Sequence, residues 1–264
     1  MKALLGAIGR RALWARVEIA EAARLVNETT LGLRRAPFSA HGFRRPSTVA
    51  QMVKVGVQSI PITFLIAFSV GMILALQAAS QLRRFGATIY TADLVGITLT
   101  RELGPLMTAI IIAGRSGSAM AAEIGTMRVS EELDALKVMA INPVEFLVLP
   151  RLVALMVMLP CLSVLADAVG ILGGAGVGAV LLNITPANYL AQTFRALLVK
   201  DIVTGLVKSL AFAAIIGMVG CFMGFRAEGG AEGVGRSTTA SVVVGIFLLI
   251  LADLFFTALF YVTE

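Results

Sequence analysis

Histidine occurs once in the chain, at His41, and cysteine twice, at Cys161 and Cys221. A single imidazole and two thiols in separate apolar stretches make neither a zinc site, a disulfide framework nor a redox motif. His41 lies in a basic amino-terminal segment, so no serine has an evident general base. Gly114-Arg115-Ser116-Gly117-Ser118 resembles a nucleophile elbow only in part, because GxSxG needs glycine where Ser118 stands. No GxxxxGK[ST] phosphate loop occurs, which excludes a nucleotide hydrolase of that type. Charge is scarce as well. Charged residues are 14% of the chain and hydrophobic residues 58%, outside the range of an ordinary soluble domain.

What the chain does have is long apolar runs. No ionised residue occurs over 55–82, only Arg101 and Glu102 over 94–114, and only Asp253 over 241–263. A membrane span needs about 20 apolar residues. Five spans follow, at roughly 55–82, 92–114, 150–182, 202–225 and 241–262, the third long enough to bend at Pro160. The net charge of +6 is distributed along the chain rather than gathered as a nucleic-acid surface. Ten of the 22 Lys and Arg precede the first span; Arg115, Arg128, Lys137, Arg151, Arg226 and Arg236 fall on the same side of the membrane. The opposite loops hold only Arg83, Arg84, Arg195 and Lys200. The positive-inside rule therefore predicts a cytoplasmic amino terminus and an external carboxyl terminus. The apolar run 3–9 is too short for a signal-peptide core, and Glu18, Glu21 and Glu28 argue against a transit peptide.

Charges inside the spans are the chemically informative residues. On insertion scales one ionised side chain at the bilayer centre costs roughly 2.5–3.5 kcal/mol. Arg101, Glu102, Lys208 and Asp253 sum to zero, and Asp167 is left over. Two compatible readings stand: a polar cluster that sets helix register, or the lining of a substrate path. Leu65, Phe68, Met72 and Leu76 recur on one helical face and suit either acyl chains or plain helix packing. Gly71 and Gly104-Pro105 are candidate points of bending. Gly173, Gly174, Gly176 and Gly178 read as close helix packing.

Outside the spans, Leu5, Ile8, Ala12, Ala15, Ile19, Ala22 and Val26 form one apolar face of an interfacial helix within 1–50. Arg34, Arg35, Arg44 and Arg45 are placed to meet anionic headgroups. Between spans two and three, Ser130 is expected to cap a short helix with Glu131, Glu132 and Asp134 in its first turn and an apolar edge of Leu133, Leu136 and Ala140. Ile141-Asn142-Pro143 ends it. Such a helix suits docking in a groove of another protein, or serves as a plain connector. The glycines of 226–240 predict a small flexible loop.

The segment 100–143, TRELGPLMTAIIIAGRSGSAMAAEIGTMRVSEELDALKVMAINP, closely resembles the signature of the MlaE/YrbE permease family of lipid ABC transporters. Further matches are GMILALQ (71–77), GILGG (170–174), LVKS (206–209), GVGRSTT (233–239) and Asp253 ahead of Thr257-Ala258-Leu259. The resemblance implies an all-α integral membrane protein with an amino-terminal interfacial helix, five transmembrane helices and a cytoplasmic coupling helix between spans two and three. It makes 1–264 a single permease domain, with 1–50 interfacial and 51–264 transmembrane. It implies a homodimer in the bacterial inner membrane, with two cytoplasmic ATPase subunits that hold ATP and Mg, while this chain binds no cofactor and catalyses nothing. An MCE-domain lipid-binding partner on the periplasmic side and a separate STAS-domain regulator are also implied. The function implied is phospholipid movement between inner and outer membranes, maintaining outer-membrane lipid asymmetry. Carried over residue by residue, Arg101, Glu102, Lys208 and Asp253 line the polar pathway. Leu65, Phe68, Met72, Leu76 and Gln77 form a candidate acyl-chain pocket, and Glu131, Glu132, Leu133, Asp134, Leu136 and Met139 couple to the ATPase. The alternative from another class is a non-transporting membrane scaffold for lipid-binding partners. An ion-coupled carrier is disfavoured because no inverted-repeat halves are evident.

Overall fold

A computed structural model describes residue 16, residues 20–32 and residues 45–263. The described residues are helical and contain no strand. A helix covers 20–32 (α1), followed by α2 (Arg45–Val55) and α3 (Ile60–Leu82). Next come α4 (Thr91–Thr98), α5 (Gly104–Ile112), α6 (Ser118–Val129) and the short α7 (Glu132–Val138). The chain finishes with α8 (Leu149–Leu181), α9 (Pro186–Ala196), α10 (Val199–Phe225) and α11 (Gly230–Thr263). Five stretches are long and apolar enough to cross a membrane: Ser47–Phe85, Thr88–Val129, Val144–Leu181, Val199–Phe225 and Gly230–Val262. The protein is a multi-pass, all-α membrane protein.

The second stretch is longer than its expected 92–114. Its 42 residues run α4, α5 and α6 end to end, about 63 Å at 1.5 Å per residue against a hydrocarbon core of about 30 Å. Two π-helical turns, Leu99–Leu103 and Ala113–Gly117, join the three pieces. A third, Val144–Val148, leads into α8. The first and third each stand just ahead of a proline, Pro105 and Pro150. A proline lacks the N–H and its ring crowds the carbonyl four residues back. The backbone relieves this by widening one turn: Gly104 N–H donates to the Leu99 carbonyl and Leu149 N–H to that of Val144, five residues back. Gly104-Pro105 is thus the site of a register change, and Arg101 and Glu102 lie within it. Pro160, by contrast, sits inside α8 and the helix continues through it.

Glycines set how closely the spans approach. A Cβ on Gly71 of α3 would lie 1.9 Å from the Gly170 carbonyl oxygen of α8, and one on Gly173 would lie 2.4 Å from that of Phe68. On α10, a Cβ at Gly205 would lie 2.2 Å from the Thr100 carbonyl oxygen. Gly176 differs from its neighbours in the GILGGAGVG run, since a Cβ there meets nothing within 4 Å.

Two expectations need correction. Most of 226–240 is helix rather than loop, because α11 already begins at Gly230. The turn is confined to the few residues before it, where Gly229 and Gly230 take φ of 87° and 72°. A left-handed backbone of that kind favours glycine. Ser130 does not cap α7 either. It closes α6, while Glu131 adopts a left-handed φ of 61° at the start of α7, and the Ser130 hydroxyl donates to Glu132 Oε1 at 2.9 Å. Of the interfacial face, Leu5 to Ile19 and the arginines at 34, 35 and 44 lie outside the described residues. Within α1, Leu25 and Thr29 turn into the protein and Val26 is exposed.

Across the far end of the bundle, α9 lies as a strap. The Thr185 side chain caps it, accepting from Asn188 N at 3.4 Å, and Gln192 donates to Asp93 at 3.0 Å. Its buried Tyr189 fills the space left by Gly174 and Gly178 of α8. Burial pushes the Tyr189 phenol up to about 12, helped by the negative charge of Asp93, so it stays protonated at neutral pH.

Gly71→Leu should lower the thermal stability of the detergent-solubilised protein by about 1–3 kcal/mol, since a backbone carbonyl cannot yield to the added side chain. Gly176→Ala should leave the melting temperature unchanged or slightly higher.

Candidate functional site

Lys208 is wholly buried on α10, one turn beyond Gly205. The missing side chain at Gly205 lets α10 press onto the π turn Leu99–Leu103, which brings Lys208 to Glu102. The ammonium donates to Glu102 Oε2, to Asp253 Oδ1 at 2.9 Å and to the Thr257 hydroxyl at 2.8 Å. These three acceptors match its three protons. Thr257 donates to the Asp253 carbonyl at 2.8 Å, one turn back on α11, and stands 3.2 Å from Glu102 Oε2. Three spans therefore meet at one cation, whose two carboxylates leave the knot with one excess negative charge.

Arg101 faces another carboxylate. Its guanidinium lies 3.7 Å from Asp201 Oδ1, in the first turn of α10. Asp201 Oδ2 also accepts from the Leu198 backbone N–H at 2.9 Å. The four charges expected to balance as one set are thus divided between two groups. Asp201 goes unmarked in the sequence pattern, and Thr257 enters it only as part of the stretch after Asp253, with no role of its own. An acid three residues into a helix after an extended Leu198 is the signal for the first. The position of Thr257 one turn after Asp253 is the signal for the second. Asp167 joins neither group. Its Oδ1 packs against Gly104, where a Cβ would come within 1.7 Å of it, and has no hydrogen-bond partner among the described residues.

The five candidate acyl-chain residues do not share one surface. Met72 and Leu76 line an apolar groove of about 640 Å³ between α3 and α8, together with Ser69, Ile73, Gly176 and Val180. Leu65 and Gln77 are exposed outside that groove, and Phe68 packs against Ala67, Ala166 and Val169. None of the five is a partner of Lys208. The least covered of the five spans is α11, which carries Asp253 and Thr257 of the knot. Only 11% of its most apolar window is buried, against 28–50% in the other four spans. Val243, Phe247, Leu254 and Phe255 are each at least 60% exposed.

Around α7 the structure reverses two expectations. Leu133 and Leu136 point inward, packed with Leu25 of α1, Ile124 of α6, Val148 and Cys221 of α10. They fasten α7 to the bundle and present nothing outward. The outward surface includes Glu131, Glu132, Asp134, Ala135, Lys137, Val138, Met139 and Ala140, with Val138 88% exposed. The hydrogen bond from Lys137, with its charge and that of Arg128, holds the Asp134 carboxyl below its usual range, so it is ionised at neutral pH.

This geometry is found in a chain that matches the family described as Permease MlaE over residues 48–259. The chain belongs to the MlaE permease family. A probable ABC transporter permease of Rickettsia prowazekii is 39% identical over 213 residues, 81% of this chain and 82% of that protein. One from Synechocystis sp. is 41% identical over 217 residues, 82% of each chain. The chloroplastic protein trigalactosyldiacylglycerol 1 of Arabidopsis thaliana is 35% identical over 215 residues, 81% of this chain and 61% of that protein. As an MlaE permease the chain is the membrane subunit of an ABC transporter, a class that works with ATPase partners.

Lys208→Met should cost on the order of 3 kcal/mol, because it leaves Glu102 and Asp253 facing one another without their cation. The neutral triple variant Glu102→Gln/Asp253→Asn/Lys208→Met should recover most of that loss in thermal unfolding of the purified protein. Equal stability of the single variant and wild type would contradict the pairing.

Proposed function

We propose that this permease moves phospholipids between the inner and outer membranes of a diderm bacterium and so maintains outer-membrane lipid asymmetry. The observation that carries the reading is the buried knot at Lys208, set in an apolar span beside the uncovered face of α11. A charge sequestered in a span marks a substrate path or a moving part more often than inert filler. The partly exposed Glu102 carboxylate of the knot can accept a hydrogen bond from a headgroup amine or hydroxyl, and the α11 face offers apolar surface for acyl chains. The name of the Arabidopsis relative carries a lipid, which agrees with this choice of cargo.

In this reading the protein is a homodimer in the inner membrane, with its amino terminus cytoplasmic and its carboxyl terminus periplasmic. Two ATPase subunits bind ATP and Mg and grip α7. An MCE-domain protein on the periplasmic side passes lipid to or from the permease, and a STAS-domain subunit regulates it. Arg101, Glu102, Lys208 and Asp253 serve the polar pathway, with Asp201 and Thr257 added. Leu65, Phe68, Met72, Leu76 and Gln77 remain the acyl-chain candidates on span one. Movement of the ATPases reaches the pathway mechanically. Leu133 and Leu136 tie α7 to Ile124 of α6 and Cys221 of α10. Cys221 and Lys208 are 13 residues apart on one continuous helix, about 20 Å. A shift of α7 is therefore carried along α6 and α10 to the two sides of the Glu102–Lys208 contact.

The deciding experiment is ATP-dependent transfer of phospholipid by the whole complex in reconstituted vesicles. Transfer that stops without ATP is expected; a scaffold would assemble its partners and transfer nothing. Glu102→Ala should weaken transfer or change ATPase activity. Val138→Asp/Met139→Asp should abolish ATPase co-purification and leave membrane insertion intact, and unchanged co-purification would remove α7 from the docking surface.

A further inference from the structure

At the end of the bundle that carries α7 lies a charged cleft that none of these roles uses. Lys54 is the last charge before the 55–82 run, and Arg115 follows the 94–114 stretch, inside the π turn Ala113–Gly117. Both side chains stand at the ends of apolar runs long enough to cross the hydrocarbon core, which suits contact with lipid headgroups. The two are brought together across spans one and two. Arg115 donates from Nη1 to the Ser59 hydroxyl and to the Lys54 carbonyl at 3.2 Å, and from Nη2 to Gln58 Oε1 at 3.2 Å. All three acceptors are neutral, and among the described residues Arg115 meets no carboxylate. The nearby carboxylate, Glu123, is already shared by Lys54 and by the buried Arg151, at 3.0 Å from the latter.

Two cations thus share the Glu123 carboxylate and Arg115 adds a third beside them, an excess of two positive charges. Arg115 has engaged three of its five N–H groups, and Lys54 one of its three protons. Between them opens a cleft of about 110 Å³, lined by Gln51, Lys54, Gln58, Arg115, Ser116 and Glu123. A guanidinium beside an ammonium, both with donors to spare, is the donor set that phosphate takes. Val57, beside Gln58 in the chain, is 52% exposed, and apolar surface so close suits a ligand with a lipid tail.

We propose that this cleft binds the phosphate of a phospholipid from the leaflet on the α7 side, gripped by Arg115 and Lys54 with Gln51 and Gln58 at the rim. The inference rests on the lipid-transport reading for its purpose, which is to hold lipid of that leaflet against the permease. Its chemistry rests on the cleft alone.

The test uses the permease with its ATPase partners in nanodiscs of phosphatidylcholine and phosphatidylglycerol, followed by native mass spectrometry. Wild type should retain one more phospholipid per chain than Lys54→Gln/Arg115→Gln. Gln51→Glu, which places a carboxylate in the cleft and breaks no hydrogen bond among the described residues, should weaken retention roughly tenfold or more. The neutral triple variant Glu102→Gln/Asp253→Asn/Lys208→Met, which keeps its fold, should retain it. Equal retention by wild type and both cleft variants overturns the proposal. So does inorganic phosphate bound at the cleft in place of any phospholipid, which would assign it to a soluble anion, and so does loss in the neutral triple variant, which would assign the lipid to the other site. Retained lipid without ATP-dependent transfer would sink the transport reading and leave this site standing.

Discussion

The fold depends on keeping one ammonium group, that of Lys208, out of contact with hydrocarbon. Left alone at that depth it would cost several kcal/mol, so its three protons must find acceptors within the protein. Those acceptors come from two other spans, which makes the arrangement of spans two, four and five a condition of stability. Apolar side chains alone specify register weakly inside a membrane, since lipid tails compete on equal terms. An ionic knot specifies it strongly.

Local backbone chemistry makes the knot possible. Pro105 forces the π turn that re-aims Glu102, and Gly205 removes the side chain that would hold α10 away from that turn. At the other end, a small apolar core of Leu25, Ile124, Leu133, Leu136, Val148 and Cys221 binds α1, α6, α7 and α10. The two clusters lie on the same helices. A rigid helix links them in the way a lever links its ends, and the widened turns at Leu99–Leu103 and Ala113–Gly117 are the places where span two is least regular.

Much of this is legible in the residues. Long uncharged runs identify five spans because hydrocarbon tolerates nothing else, and the rare charges within them point directly to Glu102, Lys208 and Asp253. What pattern reading misplaces has physical causes. The glycines of 230–235 suggest a loop, yet glycine in a helix costs only about 1 kcal/mol and packing readily overrides it. Ser130 reads as an N-cap by its spacing, but the chain reverses through a left-handed Glu131 instead. Leu133 and Leu136 look like an outward docking edge because a seven-residue helix seen alone has no inside. Only the position of α1 and α10 tells which face is covered. The Arg101–Asp201 pairing escapes notice because its partners are 100 residues apart and their meeting depends on how α10 enters the membrane.

The central claim is that the ionic knot serves transport as well as architecture, and one comparison separates the two. The complex carrying Glu102→Gln/Asp253→Asn/Lys208→Met, in which the charges are removed together, is reconstituted and its ATP-driven transfer of phospholipid measured alongside wild type. A folded, ATPase-bound complex with transfer largely lost is expected. Transfer at the wild-type rate would contradict it and reduce the knot to a helix fastener.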